Sequence, residues 1–212
     1  MLCRSRMADR FALALTFAEA LVALAIFSGC SGGAKRLEGQ LGAPVGVWKS
    51  SCYSLGGGNY SILRIEIQNA VFLTTNTHFS SADCAATSQT TEVVYNTTIR
   101  KIGEVVETLE GAGKIDIELV SVTEKPLSPD LVAKYNSTNE CGVSNWKLNE
   151  ATNLTGRKCG TGTLDPKGTL YFDIYKADFK ATPPTYQPGN GLGTSEETRP
   201  AALAEEILKL DR

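Results

Sequence analysis

Residues 44–212 predict a mainly β domain, an antiparallel barrel of about eight strands with one or two short helices. Three observations carry this. Two-residue alternation recurs along the chain: Leu63, Ile65 and Ile67 against Arg64, Glu66 and Gln68, then Ile115, Ile117 and Leu119 against Asp116 and Glu118. Turn-forming runs separate such segments, at Gly56-Gly57-Gly58-Asn59, Gly111-Ala112-Gly113 and Asp165-Pro166-Lys167-Gly168. No repeated strand–helix alternation appears, which argues against a parallel α/β sheet. Closing the sheet would remove the exposed edges that invite pairing with other chains, so a barrel is favoured over a sandwich.

The chain divides into three stretches. Arg4, Arg6 and Arg10 precede an apolar run from Phe11 to Phe27, the layout of a secretory signal peptide over residues 1–29. Glu19 interrupts that run, which disfavours a spanning helix, since a charge at mid-bilayer costs about 2.5–3.5 kcal/mol. A Gly/Ser-rich tether over residues 30–43 follows, and the folded domain begins at Pro44.

Within the domain, Pro44 to Cys52 predicts a first strand, Tyr60–Gln68 a second and Val71–Phe79 a third, the last rich in β-branched and aromatic residues. Thr90–Ile99, Ile102–Leu109 and Lys114–Thr123 continue the meander as separate strands. Ser128-Pro129-Asp130 reads as an N-cap with proline at the first helical position, opening a short helix that ends near Tyr135. Val143–Asn149 and Asn153–Cys159 are extended, and Thr169–Tyr175 forms a late strand with Leu170, Phe172 and Ile174 on one face. Pro183–Thr198, rich in Gly, Pro and polar residues, predicts a loop, and Ala201–Leu210 a terminal helix.

Twenty-one Lys and Arg against 23 Asp and Glu give a net charge of −2, with no basic stripe. Nucleic acid, whose binding needs several neutralised phosphates, is not an expected partner. Setting aside Cys3 and Cys30, the cysteines are Cys52, Cys84, Cys141 and Cys159. An even number in an exported chain predicts two disulfides with three pairings open, and chain-order pairing is favoured because it closes the shorter loops. No Cys-x₂₋₄-Cys spacing suggests zinc, and no cofactor is expected.

Phe27-Ser28-Gly29-Cys30 resembles the bacterial lipobox, with Phe27 where an aliphatic residue is usual. The resemblance implies lipid attachment at Cys30, and hence a bilayer partner and a lipid-anchored place in the bacterial envelope, Ser31 pointing to the outer membrane. Gly46-Val47-Trp48, Cys52, the Gly-rich turn, Ser81-Ala82-Asp83-Cys84, Trp146, Thr155-Gly156-Arg157-Lys158-Cys159 and Arg199-Pro200 resemble a group of bacterial lipoproteins with a lipocalin-like barrel. Gly46 and Trp48 match the opening Gly-x-Trp of lipocalins, whose Trp closes one barrel end. The late Arg packed over that Trp would correspond to Arg157 or Arg199. The resemblance implies a fold and a cavity, with no established reaction.

His78 is the single histidine, and Ser80 and Ser81 lie near it in sequence without composing a catalytic triad. Asp116 and Glu118 share a strand face, where acids ordinarily meet water rather than substrate. Trp48, Tyr60, Phe72, Trp146 and Tyr171 are the candidate lining of an apolar cavity, or else the filling of a core. The expectation is a non-enzymatic envelope protein that binds a small apolar ligand. The alternative is a protein-interaction module of adhesin or inhibitor type, whose protein partner the sequence leaves unknown.

Overall fold

The structure, a computed structural model, describes residues 44–211. The signal-like run, Cys30 and the tether lie outside the described residues. The chain opens with β1 (Gly46–Lys49), β2 (Tyr53–Gly56), β3 (Asn59–Gln68), β4 (Val71–Phe79), β5 (Gln89–Val105) and β6 (Ala112–Pro126). An excursion over residues 127–169 carries α1 (Pro129–Thr138), β7 (Thr152–Asn153), β8 (Lys158–Cys159) and β9 (Gly162–Thr163). β10 (Leu170–Asp178), β11 (Thr185–Pro188) and β12 (Leu208–Leu210) complete the chain.

Eight strands close into an up-and-down antiparallel barrel, in the order β1-β3-β4-β5-β6-β10-β11-β12 and back to β1. Closure is made by the first and last strands, with Trp48 opposite Leu210 on one side and Ile65 on the other. In such a meander, successive connections alternate between the two ends. One end therefore holds the tight β3–β4, β5–β6 and β10–β11 turns. The other holds the longer connections, including the excursion and both disulfides, Cys52–Cys84 and Cys141–Cys159.

Several elements differ from expectation. Thr90–Ile99 and the first half of Ile102–Leu109 belong to one long strand, β5, because register shifts at Ile99/Lys101 and Ile102/Glu104 absorb the break in alternation, and residues 106–109 enter the turn to β6. The predicted loop after Pro183 contains β11, and the predicted terminal helix is instead β12. Leu208 and Leu210 alternate around Lys209, and the strand pairs with both β1 and β11, so tertiary partners override a weak helical pattern. Of Val143–Asn149 and Asn153–Cys159, only Asn153, in β7, and Lys158–Cys159 are in strands. Helix α1 starts at Pro129 behind Ser128 and ends on Asn139, whose φ of 50° supplies the left-handed cap.

The main core gathers inside the barrel around Trp48, Ile65, Ile67, Ile115, Leu119 and Leu208, with the partly buried Leu63, Val93 and Tyr95 packed against it. A second, small core inside the excursion gathers Cys141, Val143, Trp146 and Leu154, and Leu164 packs against both. Gly113 on β6 faces the Tyr175 ring: a Cβ there would lie 2.9 Å from it, so glycine is what lets the ring cross the strand.

The envelope placement requires a correction. Among the described residues, all four cysteines are joined in two internal disulfides and none presents a thiol to lipid. No helix among them is long and apolar enough to cross a membrane. The bilayer partner and the lipid-anchored, outer-membrane location are accordingly withdrawn.

Candidate functional site

The interior of the barrel is the candidate site, and register decides what lines it. Residues directly opposite in an antiparallel pair point to the same face. Buried Ile65 and Ile67 on β3 face Thr74 and Phe72 on β4, so Leu63 and Asn76, and Ser61 and His78, also point inward. The β4–β5 pairing adds Thr91, Val93, Tyr95 and Thr97, and the β5–β6 pairing adds Ile117, Leu119, Val122 and Glu124.

Glu124 reaches the interior through a β-bulge. Ile115, Ile117 and Leu119 point inward on odd positions, and simple alternation would send Glu124 out to solvent. Between Leu119 and Ser121 the register against β5 shifts by one residue, and the inward set continues as Val122, Glu124 and Pro126.

The two halves of the interior differ. At the tight-turn end Trp48 is fully buried and its Nε1 donates to the Pro44 carbonyl at 2.9 Å. Phe179 meets its ring edge-on at 6.2 Å, Tyr186 packs at 5.7 Å, and Tyr175 stacks on Tyr186 at 6.1 Å. This end is a sealed floor. Toward the other end the inward-facing Leu63, Asn76, His78, Val93, Tyr95 and Glu124 all keep part of their surface exposed. Side chains that face the axis yet remain partly exposed describe a recess open at one end.

Polar groups gather at that mouth. Glu124 Oε1 accepts from the Tyr135 hydroxyl at 2.5 Å and from Thr91 Oγ1 at 3.2 Å, which brings α1 to the rim. Tyr171 donates its hydroxyl to Asp165 Oδ2 at 2.6 Å. Desolvation, then the carboxylate hydrogen bonds, push both phenols well above their ordinary range. Tyr95 is raised first by desolvation, then by the charges of Glu124 and Asp165. Burial lowers the pKa of the His78 imidazole, with Glu124 opposing in part.

The sequence candidates fall in three places. Trp48, Phe72 and Tyr171 face the interior. Tyr60, opposite Phe79 and one residue out of phase with Ser61, stands on the outer face of β3. Trp146 belongs to the second core, with its Nε1 donating to the Glu140 carbonyl at 3.2 Å. Neither candidate arginine covers Trp48. Arg157 donates to the Asn153 carbonyl at 2.9 Å. Arg199 lies outside the barrel over the Phe172 ring, paired with Asp116 at 2.6 Å. Of the two acids sharing a face, Asp116 is therefore partnered by Arg199 and Glu118 by Arg100 at 2.7 Å.

Ser61 stands opposite His78, but it is fully buried and its hydroxyl donates to the Thr77 carbonyl at 3.2 Å. That geometry commits the hydroxyl to the sheet rather than to the imidazole. Among the described residues, no group of three or more His, Cys, Asp or Glu is placed to hold a metal ion. An outer groove of about 580 Å³, lined by Ile62, Leu73, Thr75, Thr77 and Val94 among others, lies on the solvent face of β3–β5 and is separate from the interior.

Asn76, Tyr95, Glu124, Tyr135 and Asp165 were not candidates from sequence. Alternation within Thr90–Ile99 could have placed Tyr95 beside Val93, whereas the bulge and the contact to α1 left no comparable signal for Glu124. The closed eight-stranded antiparallel barrel, sealed by a Trp at one end, is consistent with a lipocalin-like fold. No known family model matches the chain, and no curated protein matches it either.

Proposed function

We propose that the domain is a non-enzymatic binding protein that holds a small, largely apolar molecule in the barrel interior. One observation carries the reading: above the floor sealed by Trp48, the inward-facing Leu63, Val93 and Tyr95 remain partly exposed. Apolar and aromatic walls with a few convergent polar groups are the usual make-up of a small-molecule site. The commitment of the Ser61 hydroxyl to a backbone carbonyl, away from His78, supports binding over hydrolysis.

The test is titration of the full chain with the neutral fluorophore N-phenyl-1-naphthylamine. Saturable one-to-one enhancement is expected, and Leu63→Trp, which fills the recess, should abolish it while leaving circular dichroism unchanged. Enhancement that does not saturate, or that survives Leu63→Trp in a folded protein, would sink the reading.

A protein-interaction module is the second reading. It draws on the segment from Gly189 to Ile207, which is bridged to the barrel at Phe172–Gly193, folded on itself at Gly189–Leu203, and carries the exposed Leu192 and Ile207. Pull-down by the full chain that is lost in a Leu192→Ser, Ile207→Ser double variant would favour it.

A further inference from the structure

We infer that the recess takes an organic cation, an amine or quaternary ammonium group carried on an apolar body. The inference rests on the binding reading above and names the chemistry of its ligand.

The first observation is an unmatched charge. On the outer face the acids have basic partners: Glu66 with Arg64, Glu92 with Lys125, Asp116 with Arg199 and Glu118 with Arg100. Inside, Glu124 has none: among the described residues no Lys or Arg forms an ion pair with it. Its hydrogen bonds from Thr91 and Tyr135 both land on Oε1, and none among the described residues reaches Oε2. A carboxylate turned into a partly desolvated recess carries a cost that an incoming cation offsets.

The second observation is what surrounds that charge. His78, the titratable ring facing it from β4, has its pKa lowered by burial, which disfavours a compensating imidazolium there. Tyr95 lies in electrostatic range of both Glu124 and Asp165, while Tyr135 and Tyr171 donate their hydroxyls to those same two carboxylates. A phenol donating to a carboxylate keeps its ring electron-rich, and ring faces attract cations most strongly where water is partly excluded. Leu63 and Val93 supply the apolar wall for the body of the ligand.

The third observation is the device that puts Glu124 there. Without the bulge after Leu119, strand phase would place Glu124 on the solvent face and turn Lys125 inward in its stead. Bulges re-aim side chains at sites, and this one turns a surface acid into an interior acid.

The experiment is calorimetric titration of the full chain with three tail-matched probes below their micelle concentrations: decyltrimethylammonium, decanol and decyl sulfate. The cation should bind about tenfold more tightly than the alcohol, the size expected of one partly desolvated charge contact, with the sulfate weakest. Glu124→Gln should bring the cation to within about twofold of the alcohol. Tyr135→Phe removes a hydroxyl but keeps the carboxylate and should retain the preference. Tyr95→Leu, a variant independent of the Glu124 hydrogen bonds, should weaken it. Equal affinity for all three head groups would overturn the cation inference and leave the apolar recess standing. No binding by any probe would overturn both, and a cation preference undiminished in folded Glu124→Gln would overturn the assignment to this residue.

Discussion

Asp173 illustrates how a single residue is shaped by its setting. On β10 it points into the barrel beside Tyr171 and Tyr175 and is 4% exposed. Its Oδ1 accepts the Ile174 N–H at 2.7 Å, and the Gly189 backbone also donates to it. Gly189 cannot be replaced at that spot, because a Cβ would lie 2.1 Å from the carboxylate oxygen. Burial raises the Asp173 pKa to about 7, against the backbone donors and Arg199. Arg199 and Tyr186 are the ionisable groups acting on it from the following segment and from β11. A folded value above the unfolded 3.8 means that the native state holds the proton more tightly. The stability so contributed is present at low pH and is lost as pH rises toward 7. Urea midpoints should therefore fall between about pH 4 and about pH 7, and Asp173→Asn, which keeps the acceptor, should flatten that slope. An unchanged slope in the variant would remove Asp173 as its source.

At the scale of elements, the segment after β11 is a strap rather than a loop. It is bound to β10 through the Phe172–Gly193 bridge, and is shaped internally by the Gly189–Leu203 bridge and by a short helical turn in which Ser195 and Thr198 cap each other. Arg199 is its fastening: Nη1 donates to the Asp173 carbonyl at 2.6 Å, Nη2 pairs with Asp116, and the guanidinium covers Phe172. The strap explains why the outward face of β10 is apolar, since it leaves Ile174 fully buried on the side away from the interior. Periodicity alone identified a face with Leu170, Phe172 and Ile174 but could not tell that a later segment covers it. Arg199→Ala strips Asp116 of its partner and frees the strap, and should cost about 2–3 kcal/mol in a denaturant titration. Amide exchange at Phe172 and Gly193 should rise first, and protection that stays unchanged there would assign the strap's hold to other contacts.

For the whole molecule, the barrel depends on its shortest strand. Three residues, Leu208–Leu210, join β1 to β11, and Leu208 is fully buried against the floor. Removing residues 208–212 would open two strand edges and uncover Trp48, Tyr186 and the floor of the recess. The truncated chain should lose its cooperative thermal transition and associate on size-exclusion chromatography, and a monomer melting like the full chain would show that closure is dispensable. Much of this architecture could be read from local pattern. Alternation along Tyr60–Gln68, Val71–Phe79 and Lys114–Thr123, punctuated by glycine turns, determines antiparallel strands, because a period of two and a tight turn are properties of neighbouring residues. The same locality placed Pro129 at the start of α1. What only tertiary structure decided is which faces point inward and what they meet. The bulge after Leu119 reverses strand phase through a register set by β5, and so carries Glu124 inside. Pairing with β1 and β11 turns Leu208–Leu210 into a strand, and the strap inverts the meaning of the apolar face of β10. Each of these depends on contacts between residues far apart in the chain, whose free energy outweighs a local preference of a few tenths of a kcal/mol per residue.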